Sequence, residues 1–527
     1  MMQTETAEAR YNKMQTERST YERDGEEAAQ LTIPSMYRRS KSKSEKIKTP
    51  YQATGAKAVN TLAAKLLAVL LPPEQSMFQL TLDTLQLAKE GQPEFSSEID
   101  KALRTYETAV NNEIDISNDR VALFEALKHL IVIGNVLLYV GEKGIKVYHI
   151  DRFVCQRDDV GNVIEIITKE TVHINAFDDE FIENLQQKAN YDEEQMIDEE
   201  IDVYTRVVRN GDTHNWYQEC KGERIPNTEG VSKEDVSPFI VLRWTRRDGM
   251  NYGESYVSEY RGDLISLEAL MQAVIEAASA SAKCLFLVNP NGVTRAATLS
   301  SAPNGAVREG LASDVSTLQV NKAADLSIAF QAIQRIESRL EHAFLMAKSV
   351  QRDAERVTST EIQVMATELE QALGGIYSIL SNEFQLPYIK RRIHMLVRSG
   401  KLQKLPDNLV KPKIVTGING LGRNSDKARL IEFITTVAQA LGGDILRQYM
   451  NLDEAIKRLA TSVGIDTNNL VKSREEIEQE MQAMQQQQLV QSLGSAALGS
   501  KLADPKNVLQ AQQLATEQAN AEQNPEA

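Results

Sequence analysis

The segment Ser349–Thr358 concentrates charge: Arg352 and Arg356 lie four residues apart, with Asp353 and Glu355 between them and Lys348 just ahead. Positions i and i+4 share a face if the segment coils locally. The chemistry open to such a set is electrostatic. On composition alone, solvated ion pairs worth about 0–1 kcal/mol each are the favoured reading. Residues that could break or make bonds are not assembled anywhere in the chain. His129, His149, His173, His214, His342 and His394 are scattered and lack HExxH spacing, which argues against a zinc hydrolase. There is no GxxxxGK[ST] phosphate loop and no GxSxG elbow. Gly417–Gly422 has the wrong spacing for a dinucleotide loop and no βαβ repeat around it, so it reads as a helix-entry turn. Asp158–Asn162 lacks calcium-ligand spacing and reads as a hairpin turn. Arg261-Gly262-Asp263 opens a helix, and its likeness to an adhesion tripeptide is chance.

Composition narrows the classes further. A chain of 527 residues with 42% hydrophobic content can bury a sizeable core spread over several domains. Its net charge of −15 disfavours a protein whose main task is to grip phosphates. Such a balance is compatible with letting nucleic acid slide past. Cys155, Cys220 and Cys284 are far apart and suit a reducing compartment. The N-terminus lacks the apolar run of a signal peptide. The most apolar stretches, 62–71 and 130–140, are short of the roughly 20 residues a membrane span needs. No cofactor or metal is expected. A large acidic chain without a catalytic constellation favours a structural or assembly protein over an enzyme.

The elements that would hold the charged segment are two long helices on either side of an insertion. A helix over 255–284 is built on Leu264, Leu267, Met271, Val274 and Ala278, and one over 327–348 on Ala329, Ile333, Ile336, Leu340, Ala343 and Ala347. Both step by three and four. At about 1.5 Å per residue they would be roughly 45 and 33 Å long. Between them, 285–326 has strand candidates at 285–288 and 317–320 and turn signals between, so it reads as a small domain at the tip of a helical hairpin. Ala269, Ala273, Ala277 and Ala280 would let neighbouring helices approach closely, and the stripes suit packing within one chain or between copies.

Upstream, 1–30 reads as a polar helix with few core positions. The basic stretch 38–48 reads as a solvated loop ahead of a nucleic-acid or partner patch. Helices are expected at 52–71, ended by Pro72-Pro73, at 96–117 and at 121–133. Strands are expected at 135–140, 145–150, 163–168, 201–209, 214–219 and 239–245, forming a small antiparallel sheet, with an acidic loop or exposed helix at 176–200. Downstream, Thr358 and Glu361 form a capping box that starts a long helix over 359–398. It carries Ile362, Met365, Leu369, Ala372, Ile376 and Ile379 on one face, with kinks at Gly374-Gly375 and Pro387. A strand-and-turn piece at 409–424, helices at 425–442 and 444–460, a Gln- and Met-rich helix from Ser473 to about 493, and a disordered tail complete the reading. The fold class is α+β, predominantly helical.

A resemblance becomes specific in Ser349–Ile362 and Ala366–Leu380. These stretches resemble the portal proteins, or head-to-tail connectors, of T7-like short-tailed bacteriophages. Pro238–Trp244, Gly253–Ser255, Tyr260–Leu264 and Leu285–Pro290 fall at matching places. The resemblance covers about 50–475 and is strongest over 238–390.

It implies a ring-forming portal fold and the following division. Residues 1–254 would be an N-terminal α+β wing, 255–284 and 327–348 the stem helices, and 285–326 the clip. The tunnel loop would be 349–358, the kinked helix and remainder of the wing 359–460, and the crown helices with the tail 461–527. The implied function is a dodecameric channel at one capsid vertex for packaging and ejecting double-stranded DNA, which is bound without sequence preference. It would also nucleate head assembly. The implied partners are further copies of the chain, the major capsid and scaffolding proteins, internal core proteins, the terminase large subunit and afterwards the tail adaptor, with no membrane. The implied location is the virion, after assembly in the bacterial cytoplasm. The tunnel-loop residues facing DNA would be Lys348, Arg352, Asp353, Glu355 and Arg356. The clip residues meeting terminase or adaptor would be Asn289, Asn291, Arg295, Asn304 and Arg308. Rival readings are another ring-forming neck or tail protein and a nucleic-acid-processing enzyme.

Overall fold

The computed structural model describes residues 5–37, 47–72, 77–82, 96–178, 180–182, 185, 200–281, 285–303, 305–318, 323–346, 359–373, 375–404, 410–414, 431–440 and 455–456. The chain divides into two units, Met1–Leu421 and Gly422–Ala527. In the second, residues 431–440 and 455–456 are helical, as expected of the helices over 425–442 and 444–460.

In the first unit the helices are α1 (Ala7–Leu31), α2 (Thr54–Leu70), α3 (Ser96–Ile116), α4 (Asp119–Ile133), α5 (Tyr256–Glu259), α6 (Arg261–Ser281), α7 (Ala296–Ser300), α8 (Ala323–Ala343), α9 (Ser359–Leu373), α10 (Ile376–Leu380) and α11 (Leu386–Arg398). The strands are β1 (Phe78–Leu82), β2 (Asn135–Gly141), β3 (Gly144–Tyr148), β4 (Phe153–Arg157), β5 (Val163–His173), β6 (Glu200–Asn210), β7 (Thr213–Cys220), β8 (Glu223–Arg224), β9 (Gly230–Lys233), β10 (Phe239–Arg243), β11 (Leu285–Val288), β12 (Val315–Leu318) and β13 (Val410–Ile414). No described helix is long and apolar enough to cross a membrane.

The β content is larger than the single small sheet expected. A six-stranded antiparallel sheet runs β4-β5-β6-β7-β8, with β9 also on β7, and a separate three-stranded sheet runs β10-β2-β3. Strands β1, β4, β8 and β9 are additions. β1 pairs with β13, setting Leu80 opposite Pro412. A proline without a donor is tolerated there because the pair has only edges.

One large apolar cluster forms the main core, with two small satellites on the six-stranded sheet. Val59, Leu62, Leu66 and Leu70 of α2 pack in one cluster with Leu127 and Leu130 of α4, Val136 and Leu138 of β2, and Leu267 and Leu340 from the two long helices. Asp119, at the start of α4, is fully buried within this structure. Its Oδ2 accepts from the Tyr388 hydroxyl at 2.5 Å and pairs with Arg392, both on α11. Its Oδ1 accepts from the Ile145 amide of β3 at 3.1 Å. Burial, with Asp119 alongside, pushes the Tyr388 hydroxyl up, so it stays a donor.

The long helix over 359–398 is broken where glycine and proline lead one to expect it. α9 ends ahead of Gly375, and a π-helical turn, Ser381–Gln385, immediately precedes Pro387 in the first turn of α11. Proline leaves a carbonyl one turn earlier without its helical donor, which a π turn accommodates. The buried face differs from the expected one after Leu369. It follows Leu373, Tyr377 and Leu380, while Ala372 is exposed, because the larger side chains remove more apolar surface from water.

Two predictions follow from these buried groups. Replacing Asp119 by Ala strands Arg392 in the interior and costs about 3–5 kcal/mol, read as a lower thermal midpoint; an unchanged midpoint would refute the bridging role. His129, His214 and His394 are each lowered, burial being the largest cause. Their unfolded value lies near 6.5, so the unfolded chain binds more protons as the pH falls below that value. Their contribution to stability is therefore full above about pH 6.5 and is lost as the pH falls below it towards their lowered folded values. His129→Gln makes the decline shallower, and identical pH slopes would remove His129 from the account.

Candidate functional site: the helical hairpin and its tip

α6 and α8 form an antiparallel hairpin that leaves the main body at α5. Leu264, Leu267 and Val274 of α6 and Ile333, Ile336 and Leu340 of α8 are buried in the main cluster. Met271 is half-buried and Ala278 is exposed. These stripes are thus mainly intramolecular core. Polar contacts fix the hairpin's root. Glu268 accepts from the amides of Tyr51 and Gln52 at 2.9 and 3.2 Å, and Arg339 pairs with Asp263 at 2.7 Å. Tyr256 donates to the Ala343 carbonyl at 2.8 Å, joining the entry of one helix to the exit of the other. Trp244, Tyr260 and Phe344 surround that tyrosine with ring centroids 5.0 to 5.3 Å away.

The helix bounds depart from the sequence reading at three places. The first helix is interrupted at Tyr260, after a short turn capped by the Ser255 hydroxyl. The second begins at Ala323, four residues early, because Ala323 and Ala324 are strong helix formers. It ends at Ala343 instead of 348. Leu345 adopts φ +55°, its amide bonds the His342 carbonyl, and the Met346 amide reaches back to Glu341 at 2.7 Å. This is a Schellman closure, which usually has glycine where Leu345 stands. The sequence carried no glycine signal, so the stop was missed. Ala347, the tunnel-loop candidates Lys348, Arg352, Asp353, Glu355 and Arg356, and the cap residue Thr358 lie outside the described residues. So do Arg38–Lys46 of the basic stretch.

At the tip, β11 and β12 pair antiparallel, with Leu285 opposite Leu318 and Val288 opposite Val315. The second strand starts two residues earlier than expected, because pairing with β11 takes in Val315 and Ser316. Asp314 organises the loop between them. Its Oδ2 accepts from the amides of Val293 and Thr294 at 2.9 and 3.0 Å, and its carbonyl accepts from Asn289 at 2.8 Å. The Thr294 amide, foremost, holds the Asp314 carboxyl below the usual range. Gly292 is required here: a Cβ would lie 2.5 Å from the Asp314 carboxylate carbon. Sequence reasoning missed Asp314. The turn signal at Asn289–Gly292 was visible, but its carboxylate partner lies more than twenty residues on.

The tip candidates divide accordingly. Asn289 anchors the turn, its Oδ1 accepting from the Asn291 amide at 3.1 Å. Asn291, Arg295 and Arg308 are exposed, Arg295 in the N-cap position of α7. Asn304 lies outside the described residues. No shared pocket gathers the described candidates. The tip instead displays apolar groups: Val307 is 97% exposed, Val293 75% and Phe286 68%. Along the hairpin, Ile265, Ile328 and Phe330 are likewise more than half exposed, and Ala269, Ala273 and Ala280 share an exposed face.

Residues 4–471 match the family described as bacteriophage head to tail connecting protein. The portal protein of Escherichia phage T7 is 36% identical over 508 residues, covering 94% of each chain. That of Enterobacteria phage T3 is 37% identical over 482 residues, covering 89% of each. That of Enterobacteria phage SP6 is 30% identical over 432 residues, covering 80% of this chain and 81% of the relative.

Proposed function

Because this chain belongs to the bacteriophage head-to-tail connecting family, we propose that it is a portal subunit, copies of which close into a ring around a passage for double-stranded DNA. The observation that carries this reading is the hairpin: its root is locked into the chain's own core while its outer faces and tip hold large apolar groups that the chain leaves in water. Exposed apolar patches of this kind mark association surfaces. A second copy of the same hairpin supplies a matching apolar face, and repetition of one heterologous contact closes a ring.

In this reading the wing is the first 254 residues with the kinked helix, α6 and α8 are the stem, and 285–326 is the clip. The clip meets the terminase large subunit during packaging and the tail adaptor afterwards. The major capsid protein, scaffolding protein and internal core proteins contact the ring elsewhere, and a dodecamer is the expected copy number. The ring is a passive conduit without catalytic activity, and packaging force comes from the terminase. Excess acid over base keeps phosphate affinity low, since each neutralised phosphate adds binding and salt dependence. Arg352 and Arg356, moderated by Asp353 and Glu355, centre the duplex.

Electron micrographs of the purified protein are expected to show rings with a central hole. Ile328→Asp combined with Phe330→Asp should give folded protomers with rings lost. Rings that persist would show that this face is not an interface, and a compact monomer from the unaltered chain under every condition would overturn the portal reading. Replacing Arg352 and Arg356 by Ala is expected to leave rings intact while altering DNA packaging or retention in infected cells. Unchanged packaging and retention would remove both residues from the channel mechanism. ATP turnover or DNA cleavage by the purified protein, abolished by mutating a single carboxylate, would contradict passivity.

A further inference from the structure

We propose that the turn joining β4 to β5, together with the end of β10, forms a binding site for one phosphate-type dianion, held by Arg157, Arg243 and Arg246. Three guanidinium groups converge on this turn. Arg157 donates Nη1 to the Gly161 carbonyl at 2.9 Å, Nη2 to Val241 O at 3.0 Å and Nε to Asn251 O at 3.2 Å. Arg246 donates to the Val160 carbonyl. Arg243 donates Nη1 to the Met250 carbonyl at 3.2 Å. The acceptors are thus backbone carbonyls, which carry no net charge. Among the described residues one carboxylate pairs with the cluster: Glu383 lies 3.5 Å from the Arg243 Nε, too long for a good hydrogen bond. Asp158, in the same turn, is engaged by Asn162 and by Arg209.

The cluster is undercompensated. The Arg243 side chain is 1% exposed, and its Nε and Nη2 have no hydrogen-bond partner. Burying a guanidinium beside like charges is costly unless an anion completes it. The neighbouring Arg157 and Arg246 act on Arg243 in the same direction as its burial. Among the described residues the three arginines have one carboxylate, Glu383, at ion-pair distance, and Arg243 is the one shut away from solvent. A phosphate monoester or free phosphate carries about −1.5 to −2 near pH 7 and several strong acceptor oxygens, a closer match than a second carboxylate. Gly161 shapes the approach. It sits at φ +95°, and a Cβ there would lie 2.6 Å from Arg243 Nη2 and 3.2 Å from Arg246 Nη2. A methyl group there would collide with Arg243 Nη2, so glycine lets the turn's backbone close against both guanidinium groups. Arg246 is exposed, so the site opens to solvent on its side. The site lies between the β4–β5 turn of the six-stranded sheet and the end of β10 in the three-stranded sheet.

The test is titration of the full-length protein with inorganic phosphate at constant ionic strength in chloride, read by calorimetry and thermal midpoint. One saturable site per chain is expected, with the midpoint rising as the site fills. Arg246→Gln, at an exposed position, should weaken binding roughly tenfold or more, as loss of a charged hydrogen bond does. Arg247→Gln makes the same charge change beside the site, at a residue paired with Glu254, and should bind like the unaltered protein. A short DNA duplex that fails to compete at equal phosphate concentration identifies a free dianion or monoester. A duplex that competes identifies backbone phosphate as the source. Equal binding by Arg246→Gln and the unaltered chain, or no saturable binding, overturns the proposal.

Discussion

Asp119 is the point on which the architecture turns, because one carboxylate with no access to water must be satisfied by three groups from two other segments at once. Its hydrogen bonds fix the first turn of α4 to the β3 amide and to Tyr388 and Arg392 on α11. β3 pairs with β2, and β2 with β10. β10 leads directly into Trp244, which packs on Tyr256 at the root of the hairpin. The C-terminal helical arm, the three-stranded sheet and the hairpin therefore share one reference point. A buried ion pair is a poor source of net stability, but it penalises every arrangement that leaves a member unpaired. That penalty positions the hairpin's root more sharply than apolar contact, which is non-directional.

The N-terminal helix repeats this logic on the other sheet. Arg18 is 2% exposed, and its Nη1 serves Tyr11, the Asp151 carbonyl and the Phe153 carbonyl. Glu165 is shared by Arg10 and Arg206, at 2.9 and 2.8 Å, and Glu219 accepts from the Ala7 amide at 2.8 Å. α1 thus docks largely through polar side chains. Its sequence read as a polar helix with few core positions, and six of its 25 residues are buried; Arg18 is among them because a long charged residue can be buried when its head is paired.

The contrast marks what was legible in the chain. The ranges of α2, α3 and α4 and the strands β2, β6, β7 and β10 were visible to within two residues because apolar residues recur at the period of the element they build, whereas β5, expected over 163–168, runs on to His173. The hairpin with an inserted tip was visible for the same reason. What escaped depends on partners remote in sequence or on an unusual residue in a common role. β4 was missed although it pairs with β5 along Phe153–Arg157. The stop at Ala343 was missed because leucine occupies the left-handed position. At the tip, the turn residues were readable, whereas Asp314 was not. The positioning of the hairpin by Asp119, Tyr388 and Arg392 had no sequence signature, because nothing in one segment shows that a carboxylate faces an arginine more than 250 residues later.

A rigid root with an uncovered tip has a consequence for assembly. In a ring built from one repeated heterologous contact, each copy is rotated from the last by a fixed angle, and any error in the wedge accumulates around the circuit. Closure therefore demands that the angle between contact faces be the same in every subunit. Apolar interfaces supply attraction but tolerate sliding, whereas buried directional networks tolerate little. On the reading proposed above the two tasks are separated: paired ions and hydrogen bonds define the body and the hairpin's departure from it, and Ile265, Ile328, Phe330 and Phe286, exposed in the single chain, are the groups assigned to association. Moving the ionic groups to the contact face would reverse the roles, leaving charges to be desolvated at every joint and the wedge angle to be set by packing alone.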